Sequence, residues 1–235
     1  MAGFQEPPSK KVKKDDSFNG SGSTGHIAVQ QIVNGISPYN GNNKSKNGND
    51  YSSFNQNGVP SGIKNTDHLK GLNKQRRSLP IFPVRGKLLE ELKKNETVII
   101  IGETGSGKTT QIPQYIHEER WDRSGMICVS QPRRVAAVTV AKRVAEEMGT
   151  NIGGLVGYTV RFEDTCNTGV TKLKYATDGM LLREAISDPT LMKYAWVILD
   201  EAHERTISTD VLFGVVKAAQ KKRKSEGREP LKIIV

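Results

Sequence analysis

The sequence predicts an α/β domain with a mainly parallel central sheet and helices on both faces. Short runs that are apolar at nearly every position alternate with stretches of helical periodicity. Strands of parallel sheets have this pattern because helices cover both of their faces. The regular alternation of strand and helix also favours right-handed crossovers between parallel strands.

The predicted elements follow one another from residue 97 to the end of the printed sequence. Residues 97–101 form a β-branched apolar run that ends in glycine, which is typical of a buried strand. Four further strands are predicted at residues 126–129, 175–177, 195–199 and 231–235. Helices are predicted at residues 108–117, 134–148, 179–186 and 209–219. Because the printed sequence stops on the last predicted strand, we expect the domain to be truncated at its C-terminal end.

The first 70 residues differ in composition from the rest. They contain 9 Gly, 9 Ser and 10 Asn, and their apolar residues are scattered. Such a segment buries too little surface to offset the entropy of ordering, so residues 1–70 are predicted to be a disordered tail and residues 71–235 the folded domain. Four lysines among residues 10–14 are either a solvated charge run or a nuclear import signal.

Overall composition excludes several classes of protein. Lys and Arg total 35 against 25 Asp and Glu, giving a net charge of +10 that favours a polyanionic partner without separating RNA from DNA. No run of about 18 apolar residues or secretory signal is present, so we expect no membrane and an intracellular protein. Two cysteines cannot form a disulfide framework, so no disulfide-linked partner is expected, and Cys128 is predicted to lie in the core.

A glycine-rich loop after the first predicted strand carries the clearest chemistry. It matches the P-loop pattern G-x-x-x-x-G-K-[ST] at every fixed position, through Gly102, Glu103, Thr104, Gly105, Ser106, Gly107, Lys108 and Thr109. Its backbone N–H groups can surround an anion at the positive end of a helix. The Lys108 ammonium can reach the β- and γ-phosphates, and the Thr109 hydroxyl can hold Mg²⁺.

An acidic pair completes the predicted site. Asp200 and Glu201 directly follow the apolar run at residues 195–199. Mg²⁺ beside phosphates is bound by one or two carboxylates, so Asp200 is predicted to hold the metal directly or through water. Glu201 is then free to orient and deprotonate a water molecule.

Several strings together resemble the DEAH-box helicases of superfamily 2. They include Asp200-Glu201-Ala202-His203 and the strings at residues 102–110, 131–137, 157–162 and 177–184. The resemblance covers about residues 75–235 and is closest to a nucleolar RNA helicase of ribosome production. It implies a RecA-like domain, ATP or another nucleoside triphosphate with Mg²⁺ as cofactors, RNA as a partner with possible protein activators, and nuclear, nucleolar localisation.

The same resemblance implies further residue roles. His203 would couple the nucleotide site to the domain interface, and Arg143 would stack on adenine beside a nucleotide site that extends to Thr110. Four residues would border the nucleic-acid path: Arg133, Arg134, Thr177 and Asp178. For Arg134 a surface position at a helix start remains the alternative, and for Thr177 a helix-capping position.

The family also has a second RecA-like domain, which supplies arginine fingers and half of the RNA track. Since arginine fingers contribute about 10³–10⁵ in rate, we expect this chain alone to bind nucleotide, hydrolyse it weakly at best and not unwind RNA. Two alternatives remain open from the sequence: a truncated non-enzymatic product that binds ATP or RNA, and a P-loop motor that acts on DNA.

Overall fold

The computed structural model describes residues 64–235. Its helices are α1 (Lys64–Ser78), α2 (Arg85–Lys94), α3 (Lys108–Glu118), α4 (Arg134–Glu147), α5 (Asp178–Ser187) and α6 (Ile207–Ser225), with a 3-10 turn at Ala202–Glu204. Its strands are β1 (Thr97–Val98), β2 (Met126–Gln131), β3 (Val156–Val160), β4 (Glu163–Asp164), β5 (Leu173–Thr177), β6 (Tyr194–Leu199) and β7 (Lys232–Ile234). The predicted tail up to residue 63, with its lysine cluster, lies outside the described residues.

The strands form one seven-stranded sheet in the order β1-β7-β6-β2-β5-β3-β4. All neighbouring pairs are parallel except β3 and β4, which form an antiparallel hairpin. The strands β2 and β6 are neighbours at the centre of the sheet. Because they are parallel, their carboxyl ends lie at the same edge. The predicted α/β class with a mainly parallel sheet is confirmed.

Helices cover both faces of this sheet. On one face α2, α3 and α4 pack against Ile127 and Val129 of β2. On the other face α5 and α6 pack around Cys128, whose side chain is fully buried. Burial raises the pKa of the Cys128 thiol to about 12, consistent with the predicted core position. The alternation along β2 therefore explains why a strand in this position is apolar at nearly every residue.

Several element boundaries differ from the prediction, among them those of β1, α1 and α6. The ladder of β1 ends at Val98 rather than residue 101, and Ile101 beyond it is half exposed as the chain turns into the glycine-rich loop. Helix α1 begins at Lys64, so residues 64–70 of the predicted tail are helical. Helix α6 continues to Ser225 because Arg223 in its last turn is buried and donates hydrogen bonds to three backbone carbonyls.

None of the helices between residues 64 and 235 has both the length and the apolar character that crossing a membrane requires.

Candidate nucleotide-binding site

The glycine-rich loop connects β1 to α3, as its motif requires. Gly105 and Gly107 have φ of +80° and +97°, in the left-handed region that favours glycine. Gly107 is the N-cap of α3, and a Cβ added there would lie 3.0 Å from Leu79 Cδ1. The Ser106 carbonyl accepts a hydrogen bond from the Ile81 N–H at 3.1 Å. The residues just before α2 thus support the loop from outside.

The loop is folded around the ammonium group of Lys108. Lys108 Nζ donates hydrogen bonds to the carbonyls of Gly102 at 2.6 Å and Glu103 at 2.9 Å. The Ser106 hydroxyl lies 3.5 Å from the same nitrogen. Thr104 and Gly105 are exposed at the tip. An ammonium group held here, at the start of α3, can transfer its hydrogen bonds to phosphate oxygens.

Two side chains, those of Thr109 and Gln131, contact the carboxylate of Asp200 immediately beyond the carboxyl end of β6. Asp200 Oδ2 accepts hydrogen bonds from Thr109 Oγ1 at 2.5 Å and from Gln131 Nε2 at 2.6 Å. The Asp200 N–H donates to the Ser130 carbonyl at 3.2 Å. A hydroxyl and a carboxylate oxygen this close form the hard oxygen donor set that Mg²⁺ prefers. The structure therefore brings together Thr109 and Asp200, the two predicted metal ligands.

Gln131 is a site residue that the sequence interpretation missed. It is the last residue of β2, next to β6 in the sheet, and its side chain is buried. Gln131 could have been identified from its place in the string at residues 131–137, in which only Arg133 and Arg134 were assigned a role. A polar residue at the carboxyl end of a parallel strand faces the ligand edge of the sheet.

Tyr175 of β5 also stabilises the site. Its fully buried hydroxyl donates a hydrogen bond to the Thr109 carbonyl at 3.1 Å, which ties β5 to the first turn of α3. Burial raises the pKa of Tyr175 well above its usual value, so this hydroxyl remains a donor.

Glu201 and His203 follow Asp200 in a tight turn. Glu201 has a φ of +51° and Arg205 a φ of +51°, so two non-glycine residues in the left-handed region bracket the 3-10 turn. His203 Nε2 lies 3.3 Å from Glu201 Oε2, and the imidazole is largely exposed. Arg205 is held by two hydrogen bonds to Asp210 at 2.8 and 3.0 Å, which lower the pKa of that carboxyl. The turn thus holds the Glu201 carboxylate next to the His203 imidazole, while the catalytic role of Glu201 stays a prediction.

Arg143 is connected to the loop through buried polar groups. Arg143 Nε donates to Glu147 at 2.8 Å, and Nη2 donates to Gln75 Oε1 at 2.7 Å. Gln111 Nε2 donates to Glu147 at 2.8 Å and to Thr110 Oγ1 at 3.0 Å. Arg143 on α4 and Thr110 on α3 are therefore parts of one network. Adenine stacking by Arg143 stays a prediction.

Arg133 and Arg134 lie at the start of α4 with exposed guanidinium groups. Arg133 pairs with Glu204 at 3.2 Å, and Arg134 pairs with Glu163 of the β3–β4 hairpin at 3.2 Å. Exposed pairs contribute little to stability, so both groups can exchange a carboxylate for a phosphate at small cost. The surface position proposed as the alternative for Arg134 is the one observed, and it leaves RNA contact open.

The position of Asp178 corrects its assignment as an RNA-contacting residue. The residue is only 2% exposed, and its carboxylate accepts hydrogen bonds from the hydroxyls of Ser130 and Thr209. A carboxylate enclosed in this way cannot reach a nucleic acid while the fold is intact. Thr177 occupies the N-cap position of α5, as the capping alternative expected, but its side chain makes no capping hydrogen bond.

Comparison with known proteins agrees with this geometry. Residues 82–223 match the family described as DEAD/DEAH box helicase. The ATP-dependent RNA helicases DHX33 of Mus musculus and Homo sapiens are 63% and 65% identical over 166 and 161 residues, which are 71% and 68% of this chain. DHX33 of Drosophila melanogaster is 53% identical over 170 residues, 72% of the chain. The matched part spans only about a quarter of each relative, at 24%, 23% and 24%.

The family match covers more than half of the chain and includes the glycine-rich loop, Gln131 and Asp200. The resemblance to the DEAH-box RNA helicases is confirmed by high identity to three relatives of that kind. The chain belongs to the DEAD/DEAH box helicase family.

Proposed function

We propose that this protein uses the hydrolysis of ATP, or another nucleoside triphosphate, to unwind or remodel RNA or RNA–protein complexes. The observation that carries the proposal is that Thr109, at the start of α3, and Gln131 both donate hydrogen bonds to one oxygen of Asp200. The relatives are named as ATP-dependent RNA helicases, which supports the same activity for the whole protein. In this proposal residues 71–235, with the start of α1, form the first of two RecA-like domains.

Each side chain of the site has a distinct task in the proposal. Lys108 holds the β- and γ-phosphate oxygens, and the loop N–H groups enclose them. Thr109 and Asp200 would hold Mg²⁺, which neutralises charge on the phosphates when bound. Gln131 fixes the orientation of the Asp200 carboxylate by its hydrogen bond. Glu201 accepts the proton of the attacking water.

The remaining assignments rest on the family resemblance. His203 relays the nucleotide state to the domain interface, and its exposed imidazole beside Glu201 suits that role. Arg143 stacks on the base, held in place by Glu147 and Gln75. Arg133 and Arg134 grip the RNA backbone without reading sequence, which is what a translocating motor requires.

We further propose that the 235-residue polypeptide alone binds nucleotide but turns it over slowly and does not unwind RNA. In the family, arginine fingers and half of the RNA track come from the second RecA-like domain. The site residues described above would supply the contacts to the phosphates and the metal. None of them is an arginine that lies near the Lys108 ammonium group. Binding and turnover should therefore separate in this polypeptide.

Binding of fluorescent ADP with Mg²⁺ to the 235-residue chain tests this proposal, with ATPase activity measured on the same samples with and without RNA. Lys108→Ala should abolish binding. Lys217→Ala, a control at an exposed position on α6, should bind as the wild type does. Absence of binding in the wild type would contradict the nucleotide site. Brisk RNA-stimulated turnover would contradict the need for a second domain, and stimulation of the full-length protein by DNA alone would favour a DNA motor.

Nuclear, nucleolar localisation in ribosome production is a separate proposal, supported by the lysine cluster at residues 10–14. A fluorescent protein fused to residues 1–63 should enter the nucleus. The same fusion with the four lysines replaced by alanine should not, and equal distribution of the two fusions would contradict an import signal. Protein activators of the helicase are expected from the family resemblance.

A further inference from the structure

The second half of α6 carries a line of exposed lysines. Residues 211–229 contain six Lys and Arg against two Glu, and α6 has no acidic residue after Asp210. Lys217, Lys221 and Lys224 are all exposed. Their spacing of four and then three residues places them on one face of the helix. We call these three residues the lysine ridge.

The lysine ridge lies on the outer side of α6. The apolar side of the helix packs against the sheet, where Leu212, Val216 and Ala219 are fully buried. Because successive residues of an α-helix are about 100° apart, the ridge is centred roughly 140° away from this buried side. The three ammonium groups therefore face solvent together.

Gln220 and Arg223 fix the position of the ridge in the fold. Gln220 donates a hydrogen bond to the Glu96 carbonyl at 3.2 Å, just before β1, and Arg223 donates to the Tyr194 carbonyl at 2.9 Å, at the start of β6. The ridge thus lies near the amino ends of the strands. Asp200 follows the other end of β6, about 17 Å along the strand, so the ridge is separate from the candidate nucleotide site.

The stability of α6 does not account for the ridge. Like charges three or four residues apart destabilise a helix slightly. A cation interacts favourably with the helix dipole only in the last turn, whereas Lys217 lies about two turns before the end of α6. In α2 and α4, by contrast, cations have acidic partners within the helix: Lys94 pairs with Glu91 at 3.8 Å and Arg143 with Glu147 at 2.8 Å.

Nearby carboxylates do not neutralise the ridge. Lys224 pairs with Glu96 at 3.5 Å, but both side chains are exposed, so this pair contributes little and can open at small cost. The other two ridge lysines form no ion pair with any residue between 67 and 235. Glu226 is held by Arg228 at 2.7 Å. With both glutamates counted, residues 211–229 keep an excess of four positive charges, which favours a polyanionic partner.

The ridge suits the backbone of a nucleic acid. It extends over about 10 Å of the helix axis, which matches about three phosphates of one strand at about 3.4 Å each. No aromatic residue occurs at residues 217–225, so contacts go to phosphates rather than to stacked bases. The apolar side of α6 is buried and cannot enter a membrane. Arg223 in the same basic run is buried, which argues against an import signal that must be accessible.

We propose that the lysine ridge is a second RNA-binding surface, which holds the phosphate backbone of an RNA segment near the amino ends of the strands. The choice of RNA over DNA rests on the proposed function. Arg133 and Arg134, the candidate RNA contacts, follow the carboxyl end of β2 at the opposite edge of the sheet. Lysines bind phosphates as point charges, so the ridge holds RNA without reading its sequence.

Binding of fluorescein-labelled oligouridine to the 235-residue chain, measured by fluorescence anisotropy over a range of salt concentrations, tests this proposal. The ridge variant combines Lys217→Gln, Lys221→Gln and Lys224→Gln. It should bind RNA about tenfold or more weakly at low salt. The plot of log K against log salt concentration should be less steep by about 2, because each lost phosphate contact changes the slope by about 0.7.

The control variant combines Lys70→Gln, Lys74→Gln and Lys87→Gln. It removes the same charge at exposed positions of α1 and α2 and likewise opens one exposed ion pair, between Lys70 and Asp67. It should bind RNA as the wild type does, and both variants should bind fluorescent ADP normally. Lys221→Glu, a single change at the middle of the ridge, is a second test variant and should weaken RNA binding severalfold.

Three results would overturn the proposal. Equal RNA affinity and salt dependence of the ridge variant and the control variant would remove the ridge and leave the proposed helicase function intact. Competition by polyglutamate as strong as that by unlabelled oligouridine would identify a surface for acidic proteins instead of RNA. A wild-type chain that binds ADP but no oligouridine would leave the ridge without its partner.

Discussion

The buried carboxylate of Asp178 gives a sharp test of the structure through Thr209→Val. Thr209 is fully buried, and its hydroxyl donates to Asp178 Oδ2 at 2.5 Å. Valine keeps the shape of threonine and removes that donor. A hydrogen bond to a charged group contributes about 1.5–3 kcal/mol. For a protein of this size that loss corresponds to a melting temperature lower by roughly 3–12 °C.

Thermal unfolding followed by circular dichroism measures the effect, with Thr168→Val at an exposed position as the control. In an Asp178→Ala background the penalty of Thr209→Val should largely disappear, because the acceptor is already gone. A Thr209→Val variant as stable as the control would refute the reasoning. It would mean that the carboxylate is accessible to water, and Asp178 would again be a candidate for RNA contact.

Three further predictions concern the loop, the metal site and the thiols. Gly107→Ala should destabilise the fold by about 1–3 kcal/mol, because φ is +97° and the new Cβ would press on Leu79; unchanged urea unfolding would contradict the loop geometry. Gln131→Ala should weaken Mg²⁺-dependent ADP binding by about tenfold or more and leave metal-free binding unchanged; equal losses in both would show a purely structural role. Burial raises the pKa of Cys128 to about 12 and also raises that of Cys166, so iodoacetamide at neutral pH should label both slowly and Cys128 more slowly, with rates that increase with pH. Mass spectrometry checks this order, and faster labelling of Cys128 would show that its strand opens.

The parts of the fold that the sequence predicted are those with a strong local signal. The central strands β2 and β6 are apolar at nearly every position because both faces are covered, and no polar alternation obscures them. The glycine-rich loop was equally clear, since its glycines, lysine and threonine occupy fixed positions between a strand and a helix.

Helix α1 had no such signal. It is polar on nearly all sides and contains Asn and Gly, so its intrinsic propensity is poor. It is stabilised by distant partners: Leu72 is buried, and Arg76 pairs with Glu118. These contacts join residues far apart in sequence, and periodicity cannot predict them.

The same distinction applies to the candidate site. The glycine-rich loop and its lysine could be predicted from their motif. The position of Gln131 and the burial of Asp178 could not, because they depend on which strands are neighbours in the sheet. Only the strand order places Asp200 within reach of Gln131. A single sequence contains the residues of such a contact but not their proximity.

The end of β2 has a consequence for how insertions and deletions would act on this protein. Ser130 and Gln131 are consecutive, and their side chains point to opposite faces, one to Asp178 and the other to Asp200. A slip of β2 by a single residue would exchange these faces and break both acidic contacts at once, besides turning its apolar side chains to the wrong helices. A point substitution in β2 can remove one of these hydrogen bonds at a time. The insertion or deletion of one residue within the strand would break both.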